Sequence, residues 1–327
     1  MTKTKVAVAM GGYSSEKEIS LKSGQVVYDS LNKDIYDIYK VEILEEGWYY
    51  ISNSGEKVPI NKSNFSFYDV GIEVIPDVVF NTIHGTPGED GYLAAYWELL
   101  NIPQTSTHFY AAALSFNKRD CLSVLKNFNV NCANSVYLND DSSVESDAII
   151  KKVGLPCFVK PNRAGSSFGI SKVNNFDELE GALEKAFKED SQVLIETALV
   201  GPEVSVGVYK NRNDIVVLPP TEIVSENDFF DYDAKYLGKS EEITPARLSK
   251  EITLKVQNEA KRIYKLLGME GISRIDFIIQ QDEPYFIEIN STPGLSKESI
   301  VPQQVRETGM ELPMFFQILI ENTLAKK

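Results

Sequence analysis

A mixed α/β fold of two or three domains, with a parallel sheet in its N-terminal part, is what this 327-residue sequence predicts. Three features carry that expectation. Lys5-Val-Ala-Val-Ala-Met runs into Gly11-Gly12 and then Ser14-Ser-Glu-Lys-Glu-Ile-Ser, which reads as strand, glycine turn and amphipathic helix to about Leu31. Pro76-Asp-Val-Val-Phe-Asn-Thr-Ile is a continuous apolar run of the kind buried on both faces of a parallel sheet. Far downstream, two arms between Ile272 and Asn290 alternate with period two, as half-buried strands do.

Taken in order, Ser14 or Ser15 is placed to cap the first helix, whose first turn carries Glu16 and Glu18 where the helix dipole favours negative charge. A helix from about Gly91 to Leu100 completes an α/β unit over residues 1–100. Residues 101–190 hold a helical stretch from Ala111 to Asn127, a strand at Cys157-Phe-Val-Lys160, a glycine-serine loop and a helix from Asp177 to Lys188. Residues 191–327 begin with Gln192-Val-Leu-Ile-Glu and a strand pair over 203–218 turning at Asn211-Arg-Asn-Asp. A polar, aromatic-rich loop over 221–246 follows, long enough to suggest a functional lid. A helix from Lys250 to Leu267 closes at Gly268, which suits a left-handed cap.

With 33 basic and 47 acidic residues the net charge is −14, which removes any global footprint for nucleic acid. A bound phosphate must therefore meet a local basic cluster. The apolar run Val6–Met10 is too short for a signal peptide, and no segment approaches the roughly 20 apolar residues of a membrane span. Three cysteines without metal-ligand spacing read as reduced, buried thiols, and the expected location is cytoplasmic.

The chemistry concentrates in three stretches. Centring a hairpin on Asp282 places Arg274 opposite Asn290 and Asp276 opposite Glu288, all on one face. Two carboxylates and an amide oxygen suit Mg²⁺, and Arg274 suits a developing negative charge; as a pattern alone, the same face could be a solvated one with cross-strand charge pairs. After it, Ser291-Thr-Pro-Gly294 forms a turn, and Ser296 to Ser299 can present hydroxyls. Lys160 ends a strand and is followed by Gly165-Ser166-Ser167-Phe-Gly169, whose amides and hydroxyls could hold an anion or merely turn a hairpin. It is not a P-loop, because the lysine precedes the glycines. His84-Gly-Thr-Pro-Gly88-Glu-Asp-Gly91 follows a buried strand, where open α/β sheets bind ligands. His84 there either orients the loop or touches substrate.

Together, GGYSSEKEISLKSG, HGTPGEDG, VKPNRAGSSFGISKV, GPEVSV, FFDYDAKYL, RIDF and EINSTPGLSKESIVP occur in order, and the chain resembles the D-alanine–D-alanine ligases of the ATP-grasp superfamily from Val6 to about Gly309. The resemblance implies an ATP-grasp fold of three α/β domains around one cleft, a homodimer, and joining of two D-alanines through an acyl phosphate. It implies that Lys118, Lys160, Ser167, Glu196 and Glu203 contact ATP, and that Asp276, Glu288 and Asn290 hold two Mg²⁺ ions (Mn²⁺ being an alternative). Glu16 would receive the ammonium of the first D-alanine, linked to Ser166 and Tyr236; Arg274 and the Gly294 amide would stabilise the oxyanion. Lys235 and Ser299 would face the second substrate's carboxylate or the transferred phosphate, and His84 would sit near the first substrate. Same-fold ligation to D-lactate, or nucleotide binding without catalysis, are the rival readings.

Overall fold

The computed structural model describes residues 3–140, 145–163, 165, 169–225 and 240–325. Strand β1 (Thr4–Gly11) leads into helix α1 (Lys17–Ser30), β2 (Tyr36–Leu44), β3 (Gly47–Ile51) and β4 (Lys57–Pro59). A separate hairpin, β5 (Phe67–Asp69) and β6 (Ile72–Val74), precedes β7 (Val78–Asn81) and α2 (Tyr92–Leu99). β1 lies between β2 and β7 and is parallel to both. Its Val6 and Val8 pack into one core and its Ala7 and Ala9 into another, which is why the strand reads as an unbroken apolar run. The expected parallel sheet holds for these three strands only. β3 and β4 extend it antiparallel, because the short connection at 45–46 allows nothing else.

The serine cap of α1 is corrected. The N-cap is Glu16, with no side-chain cap bond. Ser14 Oγ accepts from Glu16 N at 3.3 Å and donates to the His84 carbonyl oxygen at 3.0 Å, tying the helix entry to the loop after β7.

The stretch expected as one helix over 111–127 is two, α3 (Phe109–Phe116) and α4 (Lys118–Asn127). Asn117 breaks it: its backbone is extended, and its side chain accepts from Asp120 N, so it caps the second helix. β8 (Ser135–Asn139), α5 (Ser146–Val153), β9 (Cys157–Pro161), β10 (Ser171–Val173), α6 (Leu179–Phe187) and β11 (Gln192–Thr197) follow. The four strands form an antiparallel sheet in the order β10-β9-β11-β8. β11 thus belongs with the central strands, and the sheet boundary falls after Thr197 rather than at 190.

The remainder is built on β12 (Glu203–Asn211), β13 (Asp214–Val217), β14 (Thr221–Ser225), β15 (Ser240–Ile243), α7 (Lys250–Leu266), β16 (Ile272–Gln280), β17 (Glu283–Asn290), α8 (Ile300–Glu307) and α9 (Leu312–Leu324). The segment expected as loop over 221–246 starts and ends as paired strands, β14 and β15. α7 buries Val256, Ala260, Ile263 and Tyr264 in one core with Val204, Val206 and Phe277. Gly268 caps its end at φ +63°.

The turn between β16 and β17 is Gln281-Asp282, both at positive φ (53° and 62°), a two-residue turn shorter than one centred on Asp282. That register alone would set Asp276 opposite Ile287. A bulge between Asp276 and Phe277 absorbs Ile287 and restores the expected pairs Asp276–Glu288 and Arg274–Asn290.

Phe315, Phe316, Leu319 and Ile320 of α9 share a core with Val6, Val8, Val78 and Phe80. Each such side chain contributes about 1.5–3 kcal/mol of burial. The last helix is therefore fastened to the first sheet.

Candidate active site

One face of the β16–β17 hairpin carries the acid–base cluster expected from the sequence. Arg274 donates to Asp276 from Nε at 2.9 Å and from Nη2 at 2.7 Å. Ser205 of β12 donates to Asp276 Oδ1 at 2.6 Å, and Asn290 Nδ2 reaches Oδ2 at 3.3 Å. The Asn290 amide oxygen is left to another partner. Glu288 Oε2 lies 3.8 Å from Lys118 Nζ.

Two lysines approach from the central strands. Lys160 Nζ is 2.9 Å from Glu196 Oε2, with the two side chains only 13% and 7% exposed. Burial alone would push the Lys160 ammonium down, but Glu196, then Glu288 and Glu203, outweigh it and hold its pKa up. Lys118 opens α4, whose first two amides donate to Asn162 in the turn just beyond β9. The two lysines are thereby held by connected elements, with Glu196 and Glu203 in electrostatic range of Lys160.

The third group comes from the N-terminal part of the chain. Glu16 sits at the start of α1, and a Cβ on Gly165 would collide with its Oε2, so glycine lets the backbone at position 165 approach that carboxylate. His84 is buried and donates from Nδ1 to the Thr292 carbonyl at 2.7 Å. A carbonyl can only accept, so the proton is on Nδ1 and Nε2 is left to accept from Ser23 Oγ at 3.4 Å. Burial, chiefly, lowers its pKa, with Arg274 adding to the effect, and His84 is neutral. It ties its own loop to Thr292 and also lines the cavity.

Glu89, which sequence reasoning did not single out, is buried behind it. Its Oε2 accepts from Gly85 N at 2.9 Å and its Oε1 from Thr292 N at 3.1 Å. Burial first, and then the Glu16 charge, push its carboxyl up to about 7. Its place in HGTPGEDG was visible; that it faces a backbone more than two hundred residues away was not. Glu242 was missed for the same reason. It receives Gln303 Nε2 at 2.5 Å, and burial raises its pKa.

A cavity of about 400 Å³ joins these groups: Glu16, His84, Lys118, Arg274, Glu288, Asn290, Gly294 and Ser299 all line it, with Lys22, Glu89, Glu242 and Glu298 beside them. Ser299 and Ser296 bond each other at 2.7 Å. Around Gly294, Thr292 N goes to Glu89, Pro293 has no N–H, and Leu295 N goes to Ser23 Oγ at 3.1 Å. Gly294 lines the cavity, and among the described residues none accepts from its amide. Ser166, Ser167, Lys235 and Tyr236 lie outside the described residues.

The donor set fits Mg²⁺. Among the described residues no three His, Cys, Asp or Glu side chains converge; two carboxylates and an amide oxygen instead suit a hard ion that also takes phosphate oxygens. The three cysteines are free thiols, two of them buried and Cys132 half-buried. Among the described residues no helix is long and apolar enough to cross a membrane.

Known proteins resemble this chain over nearly its whole length. A family model described as D-ala D-ala ligase N-terminus matches residues 5–107, and one described as D-ala D-ala ligase C-terminus matches 124–321. A D-alanine–D-alanine ligase of Flavobacterium johnsoniae is 53% identical over 98% of this chain and 99% of its own. Among solved structures, a D-Ala:D-Ser ligase from Enterococcus faecalis superposes with a TM-score of 0.87 at 31% identity, covering 98% of this chain and 100% of that one. A D-alanine–D-alanine ligase from Bacillus anthracis complexed with ATP gives 0.80 at 25% identity, covering 98% of each.

Proposed function

The chain belongs to the D-alanine–D-alanine ligase family, and we propose that it joins two D-alanine molecules with cleavage of ATP to ADP and phosphate, for peptidoglycan precursors. The observation that carries this is the convergence of Glu16, Lys118, Glu288, Arg274 and Gly294 in one cavity, where they would serve as ammonium acceptor, phosphate-binding cluster and oxyanion donor.

Each residue has a physical task. A carboxylate is a poor electrophile, and transfer of the γ-phosphoryl group onto it supplies a leaving group. Glu16 would hold the first D-alanine by its ammonium, aided by Ser166 and Tyr236. Lys118, Lys160 and Ser167 would offset charge on the nucleotide phosphates, Lys160 trading part of its Glu196 pairing for them. Glu196 would meet the adenine edge and Glu203 the ribose. Asp276, Glu288 and Asn290 would hold Mg²⁺, which when bound draws charge from the phosphate oxygens. Arg274 and the Gly294 amide would face the oxyanion formed when the second amine attacks. Lys235 and Ser299 would fix the second substrate's carboxylate. His84 would shape the first-substrate pocket.

A cytoplasmic homodimer of three domains fits this reading. Exposed Tyr92 and Leu99 on α2 and Phe109 and Tyr110 on α3 supply apolar surface for a second copy.

ATP turnover should depend on added D-alanine and yield D-alanyl-D-alanine. D-serine and D-lactate, offered as competing acceptors, decide the alternative specificities. ATP hydrolysis indifferent to D-alanine would overturn the assignment.

A further inference from the structure

Both backbone hydrogen-bonding groups of Thr292 are gripped by the loop that follows β7. Its N–H donates to Glu89 Oε1 at 3.1 Å and its carbonyl accepts from His84 Nδ1 at 2.7 Å. The same two side chains are anchored on their own side, Glu89 by Gly85 N at 2.9 Å and His84 by Ser23 Oγ. Ser23 also accepts from Leu295 N at 3.1 Å. The turn is thus held at Thr292 and at Leu295, and Gly294 lies between the two anchors.

We propose that Glu89 is a positioning residue which, with His84, sets the Gly294 amide from the first domain and so couples the first-substrate site at Glu16 to the oxyanion donor. This rests on the ligase reading above. The geometry requires a carboxylate at position 89. Two N–H groups point at it, one to each oxygen, and an amide in its place would turn an NH₂ toward one of them. Catalysis depends on donors fixed to within fractions of an ångström, so a loosened turn should lower the rate without weakening nucleotide binding.

Charge supports the coupling. The charged groups acting on Glu89 are Glu16 from the start of α1 and Arg274 from β16. Glu16 repels the Glu89 carboxylate, and an ammonium arriving at Glu16 offsets that repulsion. The first substrate would itself favour the ionised form that both N–H groups need.

The test uses the full chain. Glu89→Gln should lower kcat by about 10²-fold, leave the KM for ATP and the affinity for ADP near wild type, and lower affinity for a phosphinate analogue of the dipeptide by a similar factor, since its tetrahedral oxyanion reports on the same donor. Ser106→Ala is the control for softening: it removes a hydroxyl 3.3 Å from Thr292 Oγ1 but leaves the gripped peptide alone, and should cost stability without a matching loss of kcat. An unchanged kcat in Glu89→Gln overturns the proposal, as does a loss spread equally over ADP and the analogue and matched by Ser106→Ala. Should Glu89→Gln fail to fold, His84→Phe, which keeps a ring and deletes the Nδ1–H, is read by the same criteria. Wild-type turnover separates the two levels: a wild type inert toward D-alanine overturns the ligase reading, whereas an active wild type with an indifferent Glu89→Gln overturns only the clamp.

Discussion

Asp276 and Glu288 face each other across β16 and β17 because Ile287, the residue just before Glu288, is absorbed as a bulge. Their environments nevertheless differ. The Asp276 side chain is 6% exposed and bonded to Arg274 and Ser205, whereas Glu288 is 26% exposed and 3.8 Å from Lys118.

Both Asp276→Asn and Glu288→Gln should reduce turnover severely, by weakening an anionic metal site. Only Asp276→Asn should also unfold more readily, since removing one partner of a buried ion pair costs about 3–5 kcal/mol. Mg²⁺ titration of activity, paired with urea denaturation, checks this. Near wild-type rates at low Mg²⁺ in Glu288→Gln would refute the metal assignment.

Lys160 and Glu196 form the other buried pair. Glu196→Gln should destabilise the free enzyme by about 3–5 kcal/mol, because the Lys160 ammonium stays buried without its carboxylate. Saturating ATP should recover part of that loss as phosphate replaces the carboxylate. Thermal melts with and without nucleotide measure it; equal destabilisation in both would argue against a phosphate contact by Lys160.

Glu89 gives a pH signature. Its folded pKa, about 7, lies above the ordinary value of 4.5. Folding therefore favours the protonated carboxyl, so this contribution is fully present below pH 4.5 and is lost as pH rises through 7, by up to about 3 kcal/mol. His84, lowered by burial, acts in the opposite direction: its contribution is present above the ordinary 6.5 and is lost as pH falls. The ligand-free stability of wild type minus that of Glu89→Gln should thus fall between pH 5 and pH 8. A flat difference would mean that Glu89 is ionised throughout.

Tyr236→Phe should cost little in rate, about 0.5–1.5 kcal/mol for one hydroxyl, but should let D-lactate compete as acceptor, increasingly at lower pH where the D-alanine amine is protonated. Product ratios from mixed acceptors across a pH series decide it. A constant ratio would reduce Tyr236 to packing.

Local order determined much of this protein in advance. Strand β1, the run ending in β7, the 203–217 hairpin and the helix stopped by Gly268 follow from apolar period and turn residues, which act over a few positions. That Arg274 shares a face with Asp276, and Glu288 with Asn290, was legible too, because side chains alternate along a strand; that the two pairs meet depended on the bulge at Ile287. Tertiary structure decided the rest. Asn117 divides a continuous helical pattern because its side chain finds Asp120 N. β11 joins the central sheet through pairings with β8 and β9 that no local pattern announces. Glu89 and His84 meet Thr292 because α9 fastens the last domain to the first sheet, bringing together segments far apart in the chain. Periodicity reports only whether a residue is buried; what a buried polar group bonds to depends on which distant backbone folding delivers.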